Sequence, residues 1–157
     1  MRLYLSADIE GTCGTVDWTE SERATMEHYR PFAAQMTAEV AAAGEGADAA
    51  GAEDILVKDA HDSARNLDAA RLPRQARVLR GWTGDPLCMM AGLERGAFGG
   101  VLFTGYHAWG CCGGNPLSHT MTTACDQVTL NGVPASEFLI NAYTALYFGV
   151  PVAFLSG

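Results

Sequence analysis

The chain has 157 residues, 48% of them hydrophobic, which suits one domain with a sizeable buried core. Ten basic against eighteen acidic residues leave a net charge of −8, and Lys58 is the sole lysine, so no basic stripe exists to hold a phosphate backbone and nucleic acid is not expected as a partner. The apolar runs are short and broken by charges or glycines, and the N-terminus lacks the basic-then-apolar order of a signal peptide; the expectation is a cytoplasmic protein with no membrane contact.

Residues 2–7 read as a strand that ends on Asp8 and Glu10. Pro31 as a first-turn residue, with Phe32, Met36, Val40 and Ala43 three or four apart, predicts a long Ala-rich helix, weakened late by Gly44 and Gly46. "DILVK" at 54–58 is a second strand, so strand, helix, strand implies a right-handed parallel crossover. A weaker repeat follows: a strand at 76–81, a helix at 86–94 starting at Pro86, and a buried strand at 99–106. Asn131-Gly132 predicts a short β-hairpin before a helix over 136–148, and "PVAFL" at 151–155 closes as a strand. The sum is one α/β domain, residues 1–157, with a largely parallel central sheet flanked by helices.

The five cysteines, Cys13, Cys88, Cys111, Cys112 and Cys125, form an odd set without CxxC or zinc-finger spacing and read as reduced thiols. The adjacent Cys111 and Cys112 sit in a small-residue loop, "GCCGG".

Position gives the two carboxylates of the first strand a purpose. Alternate residues leave an extended segment on one face, so Asp8 and Glu10 point the same way, repel, and need a neutralising partner. The second strand runs out through Asp59 and His61 and the 99–106 strand into His107, so three strands deliver carboxylates and imidazoles to the carboxyl-end rim where open parallel sheets bind ligands. Glu137 joins from the first turn of the last helix, and His119 from the loop after His107. Left alone, the carboxylates would raise one another's pKa values, and a cation resolves the repulsion. Oxygen and imidazole donors without thiolate suit zinc, manganese or iron(II) in an open hydrolytic site. Five ligands exceed one such site; with Asp8 bridging, two metals each gain roughly three protein contacts, the arrangement of a two-metal hydrolase that ionises a water near neutral pH.

Five segments, "LYLSADIEGTCG", "ILVKDAHDSARNL", "GVLFTGYHA", "SHTMT" and "LNGVPASEFLINAY", resemble in order and near-spacing the motifs of the zinc-dependent M55 peptidases, the dipeptide-transport-operon D-aminopeptidases. The resemblance implies that Asp8, Glu10, His61, His107 and Glu137 bind two zinc ions and that His119 is the catalytic histidine. It implies removal of N-terminal D-amino acids from short peptides by a ring-shaped homo-oligomer, a decamer. Two departures stand out: the resemblance implies a second α/β half after the strand matching "PVAFLSG", where the 157-residue sequence stops, and the loop "HAWGCCGGNPLSH" has its own composition, so substrate preference is not expected to transfer.

Among the other residues, His119 lies in a polar loop and reads as a general acid or base. Asp59 competes with His61 for metal and is expected behind it as a supporting partner. Asp62 and Asn66 read as turn and helix-start residues, and Trp18, Trp82 and Trp109 as packing or substrate contacts. Lys58 points to the opposite face from Asp59, which argues against a place in the site. Two other readings are carried. "ADIEGT" is also similar to the first strand of the haloacid-dehalogenase magnesium phosphatases, although Glu10 replaces their second Asp and the rim histidines then have no role. The end at Gly157 motivates the other, a non-catalytic metal-binding or assembly fragment.

Overall fold

The computed structural model describes residues 1–157. Five strands, β1 (Arg2–Ala7), β2 (Asp54–Asp59), β3 (Ala76–Leu79), β4 (Gly100–Thr104) and β7 (Val152–Leu155), form an all-parallel sheet in the order β3-β2-β1-β4-β7. A second, antiparallel pair is the hairpin β5 (Thr129–Leu130) and β6 (Val133–Pro134), turned through Asn131 and Gly132, both at positive φ as the Asn-Gly signal requires.

Both faces of the central strands β1, β2 and β4 are covered, as parallel sheets demand, while edge strand β7 stays exposed. The 24-residue helix α2 (Met26–Ala49) turns Tyr29, Ala33, Met36, Val40 and Ala47 onto the face made by Leu3, Leu5, Ala7, Ile55 and Val57. On the opposite face Tyr4, Val101 and Phe103 pack under Met89, Met90, Leu93 and Ala145, the last from helix α3 (Glu137–Tyr147). Ser136 caps α3, accepting from the Leu139 amide at 3.1 Å, and so fixes where Glu137 begins the helix.

Three expectations are corrected. The predicted helix at 86–94 is instead two 3-10 turns, Cys88–Met90 and Leu93–Arg95, because the backbone enters the left-handed region at Cys88 (φ +54°) and Gly92 (φ +94°). The long helix starts at Met26, so Pro31 lies inside it rather than in its first turn. A short helix, α1 (Trp18–Ser21), went unforeseen; its signal is the D-x-x-E of Asp17 and Glu20, a complete capping box.

At the amino ends of the central strands Asp54 accepts hydrogen bonds from Arg2 Nε at 2.8 Å and from Arg77 Nε and Nη2 at 2.7 and 2.6 Å, tying β1, β2 and β3 together. Arg77 first, and then Arg2, holds the Asp54 carboxyl down at about 2. A lowered folded-state pKa gives stability that is complete above the unfolded value of about 4 and disappears as pH falls through 2. Asp54→Asn is therefore expected to cost about 1 kcal/mol or less at pH 7, a few degrees of Tm, with the gap to wild type closing between about pH 4 and pH 2 in thermal melts.

Candidate metal centre and active site

The strand order places β1 at the centre of the sheet, with the chain leaving it toward β2 on one side and returning through β4 on the other. The crevice between β1 and β4 is a topological switch point, and Asp8 and His107 follow the two strands that form it. The two loops meet closely: the Asp8 amide donates to the Thr104 carbonyl at 2.9 Å and the Gly11 amide to the Gly105 carbonyl at 2.8 Å. A Cβ at Gly11 would overlap the Tyr106 carbonyl, and one at Gly105, where φ is +68°, the Asp8 carbonyl. Only glycine fits at either place.

The structure brings all six sequence-derived candidates together. His61 Nδ1 lies 3.3 Å from Asp8 Oδ1 and 3.1 Å from Glu10 Oε1. His107 Nε2 is 3.6 Å from both Asp8 Oδ2 and Glu137 Oε2, and His119 Nε2 is 3.5 Å from Glu137 Oε1. The donor atoms of Asp8, Glu10 and His61, and again of Asp8, His107 and Glu137, lie within 4.8 Å of one another. Asp8 belongs to both triads and turns one oxygen to each. A third grouping, Glu10 with His107 and His119, satisfies the same distance.

Each imidazole has its second nitrogen committed. A carbonyl can only accept, so His61 donates from Nε2 to the Ser21 carbonyl at 2.9 Å, His107 from Nδ1 to Ala108 at 3.0 Å, and His119 from Nδ1 to Leu117 at 2.9 Å. The remaining nitrogens face the carboxylates, the orientation that metal-binding histidines adopt. Asp8 Oδ2, Glu10 Oε2 and His107 Nε2 are buried without a hydrogen-bond partner. Orphaned acceptors beside like charges are what a bound cation would satisfy, and the all-oxygen-and-nitrogen donor set fits zinc.

The electrostatics show the same tension. Burial, then the neighbouring Glu10 charge, pushes the Asp8 carboxyl up. Burial works against Glu10 too, but hydrogen bonding and charge from His61 pull it down to about 2. Burial opposes protonation of the histidines, yet Asp8 and Glu10 lift His61 well above its ordinary value, and Glu137 with Asp8 lifts His107 to about 9.

Supporting side chains were less legible. Asp59 is turned away from the cluster, toward α2. Its carboxylate accepts from the Asn66 amide (2.6 Å), Asn66 Nδ2 (2.7 Å) and the Leu67 amide (2.9 Å), while Asn66 Nδ2 also donates to the His61 carbonyl at 2.7 Å. It therefore braces the His61 loop from behind, and Asn66 does more than shape a turn. Beneath the site, Tyr106 bonds to Ser6 Oγ at 2.7 Å and accepts from Asn141 Nδ2 at 3.0 Å, joining β1, the β4 loop and α3. Glu137 Oε1 accepts from the Met121 amide at 2.7 Å, which anchors the loop that carries His119. His119 stacks on His107 with ring centres 4.3 Å apart, and Trp18 of α1 meets the His119 ring in a T-shaped contact at 5.3 Å. Lys58 leaves β2 on the opposite face from Asp59, as alternation requires, but that is the face shared with its register partner Ser6. Lys58 belongs neither to the cleft lining nor to the metal-capable groups, and its ammonium touches the site's surroundings only through the Trp82 ring, which does line the cleft.

A cleft of about 500 Å³ opens over the cluster, its lining including Trp18, His119, Met121, Trp82, Cys88 and Met89. Buried carboxylates and imidazoles at the carboxyl rim of a parallel sheet, under a cleft large enough for a small molecule, define a metallohydrolase class of site. The family model of the M55 peptidases, described as D-aminopeptidase, matches residues 1–157, and the chain belongs to that family. It is 35% identical over 159 residues to a D-aminopeptidase of Bacillus subtilis (strain 168), covering 100% of this chain and 56% of that protein. It is also similar to the solved structure of the Zn-dependent D-aminopeptidase DppA from Bacillus subtilis, described as a self-compartmentalizing protease, with a TM-score of 0.88 and 34% identity over 97% of this chain and 54% of that one. The chain thus spans about half the length of the relatives it matches. The phosphatase alternative loses its support with the family match and with the buried position of the sole lysine.

Proposed function

We propose that this chain carries the catalytic site of a zinc-dependent D-aminopeptidase that removes N-terminal D-amino acids from short peptides. Asp8, Glu10 and His61 would hold one zinc ion, and Asp8, His107 and Glu137 a second. The observation that carries this reading is the pair of triads sharing Asp8, with unpartnered buried atoms turned into the space between them. Bound zinc would polarise the scissile carbonyl and make a water nucleophilic at neutral pH. His119, with Nδ1 committed to the Leu117 carbonyl, uses Nε2 to take a proton from the attacking water and deliver it to the leaving amine. The cleft of about 500 Å³ has room for a di- or tripeptide.

The self-compartmentalizing description of the solved relative supports a homo-oligomer here, with a ring-shaped decamer as the specific proposal. Exposed Tyr143, Leu146 and Tyr147 on α3, and Phe154 and Leu155 on edge strand β7, offer apolar surface for such contacts. No helix is long and apolar enough to cross a membrane. Five unpaired cysteines suit a reducing compartment, which supports the cytoplasm.

The test is a panel of D-alanyl and L-alanyl dipeptides assayed before chelation, after it, and after zinc is restored. Release of D-alanine that vanishes with the chelator and returns with zinc is expected. Preference for L-alanyl peptides, or magnesium-dependent phosphate release from a phosphomonoester, would contradict the reading, and zinc binding without turnover would favour an assembly role.

A further inference from the structure

Lys58 is the sole lysine and is fully buried, yet the metal centre and proton transfer leave it without a task. A buried ammonium is costly unless its environment compensates it. Nζ donates to the Gly81 carbonyl at 2.8 Å and sits 4.3 Å from the centre of the Trp82 ring, a cation–π contact. The Trp82 indole N–H donates to the carbonyl of Asp62, the residue after His61. Trp82 is nevertheless 44% exposed and lines the cleft with Asp8, Glu10 and His61. Contacts at its N–H and over its π-face orient the ring, which presents an apolar surface to the cleft beside the reacting groups.

We propose that Trp82 is a specificity-determining residue: its ring forms the cleft wall against which an apolar side chain of the bound peptide packs, and Lys58 is the positioning residue that holds it. The proposal rests on the peptidase reading of the site. Cys88 and Met89 also line the cleft and add polarizable sulfur to its apolar lining. Small substrates reach the metal centre without touching it, whereas branched ones gain from the contact.

Equilibrium titration of the zinc-loaded protein with uncleavable phosphinic analogues of D-alanyl-glycine, D-leucyl-glycine and D-alanyl-leucine tests this, with D-alanyl-glycine hydrolysis and zinc content measured alongside. Trp82→Ala should weaken one leucine-bearing analogue about tenfold and the D-alanyl-glycine analogue less than about threefold, with zinc retained. Lys58→Met should give the same pattern at smaller size, and Trp82→Phe, which keeps a ring and a folded wall, should recover part of the loss. Equal weakening of all three analogues, or none, overturns the role of Trp82 while D-alanyl-glycine hydrolysis keeps the peptidase reading intact. A wild-type protein that binds no analogue and hydrolyses no D-peptide overturns both.

Discussion

Asp8→Ala should strip most of the zinc from both positions and lower peptide hydrolysis by far more than a hundredfold. The expectation follows from one side chain serving two triads: Oδ1 lies 3.3 Å from His61 Nδ1 and Oδ2 3.6 Å from His107 Nε2. Without it each triad keeps two donors, Glu10 with His61 and His107 with Glu137, too few for tight binding of zinc. Removing even a partner behind the ligands typically costs 10–100-fold in affinity or activity, so removing the shared ligand costs more. Elemental analysis after reconstitution is the check, with circular dichroism to show that the fold survives. Full zinc loading of the variant would mean that Asp8 is not the bridge.

The second large effect separates chemistry from metal binding. His119→Ala should leave zinc content nearly unchanged while cutting hydrolysis on the order of a hundredfold or more, the usual worth of a positioned acid or base. His119 is more exposed than the other cluster members, opens onto the cleft, and is held by Leu117, His107 and Trp18. The rival role is specific, because Glu10, His107 and His119 also group within metal-binding distance. Zinc content falling in step with activity would make His119 a ligand. Measuring both quantities on one preparation decides between the roles.

What the sequence made legible and what it hid differ for a physical reason. β1, β2 and β4 are short apolar runs, as strands buried on both faces must be, and the rule that parallel sheets bind ligands at their carboxyl ends then picked out Asp8, Glu10, His61 and His107. Glu137 was readable because Ser136 is a good cap and the first helical turn faces the rim. The residues that hold these in place were harder to see, since their partners lie far along the chain: Ser21 behind His61 is 40 residues away, and the Lys58–Trp82 contact depends on how the loop after β3 folds back. Alternation correctly put Lys58 and Asp59 on opposite faces, but it could not foresee that the Lys58 ammonium would meet Trp82, a residue of the cleft lining. The 86–94 segment misled for a local reason, since its apolar spacing suits a helix while the left-handed backbone at Cys88 and Gly92 forbids one.

The central claim is that one rim site holds two zinc ions bridged by Asp8. Anomalous diffraction at the zinc edge, from crystals of the zinc-reconstituted protein, tests it most directly. Two peaks about 3.5–4 Å apart are expected, one beside Asp8, Glu10 and His61 and the other beside Asp8, His107 and Glu137. A single peak, or peaks on other side chains, would contradict it.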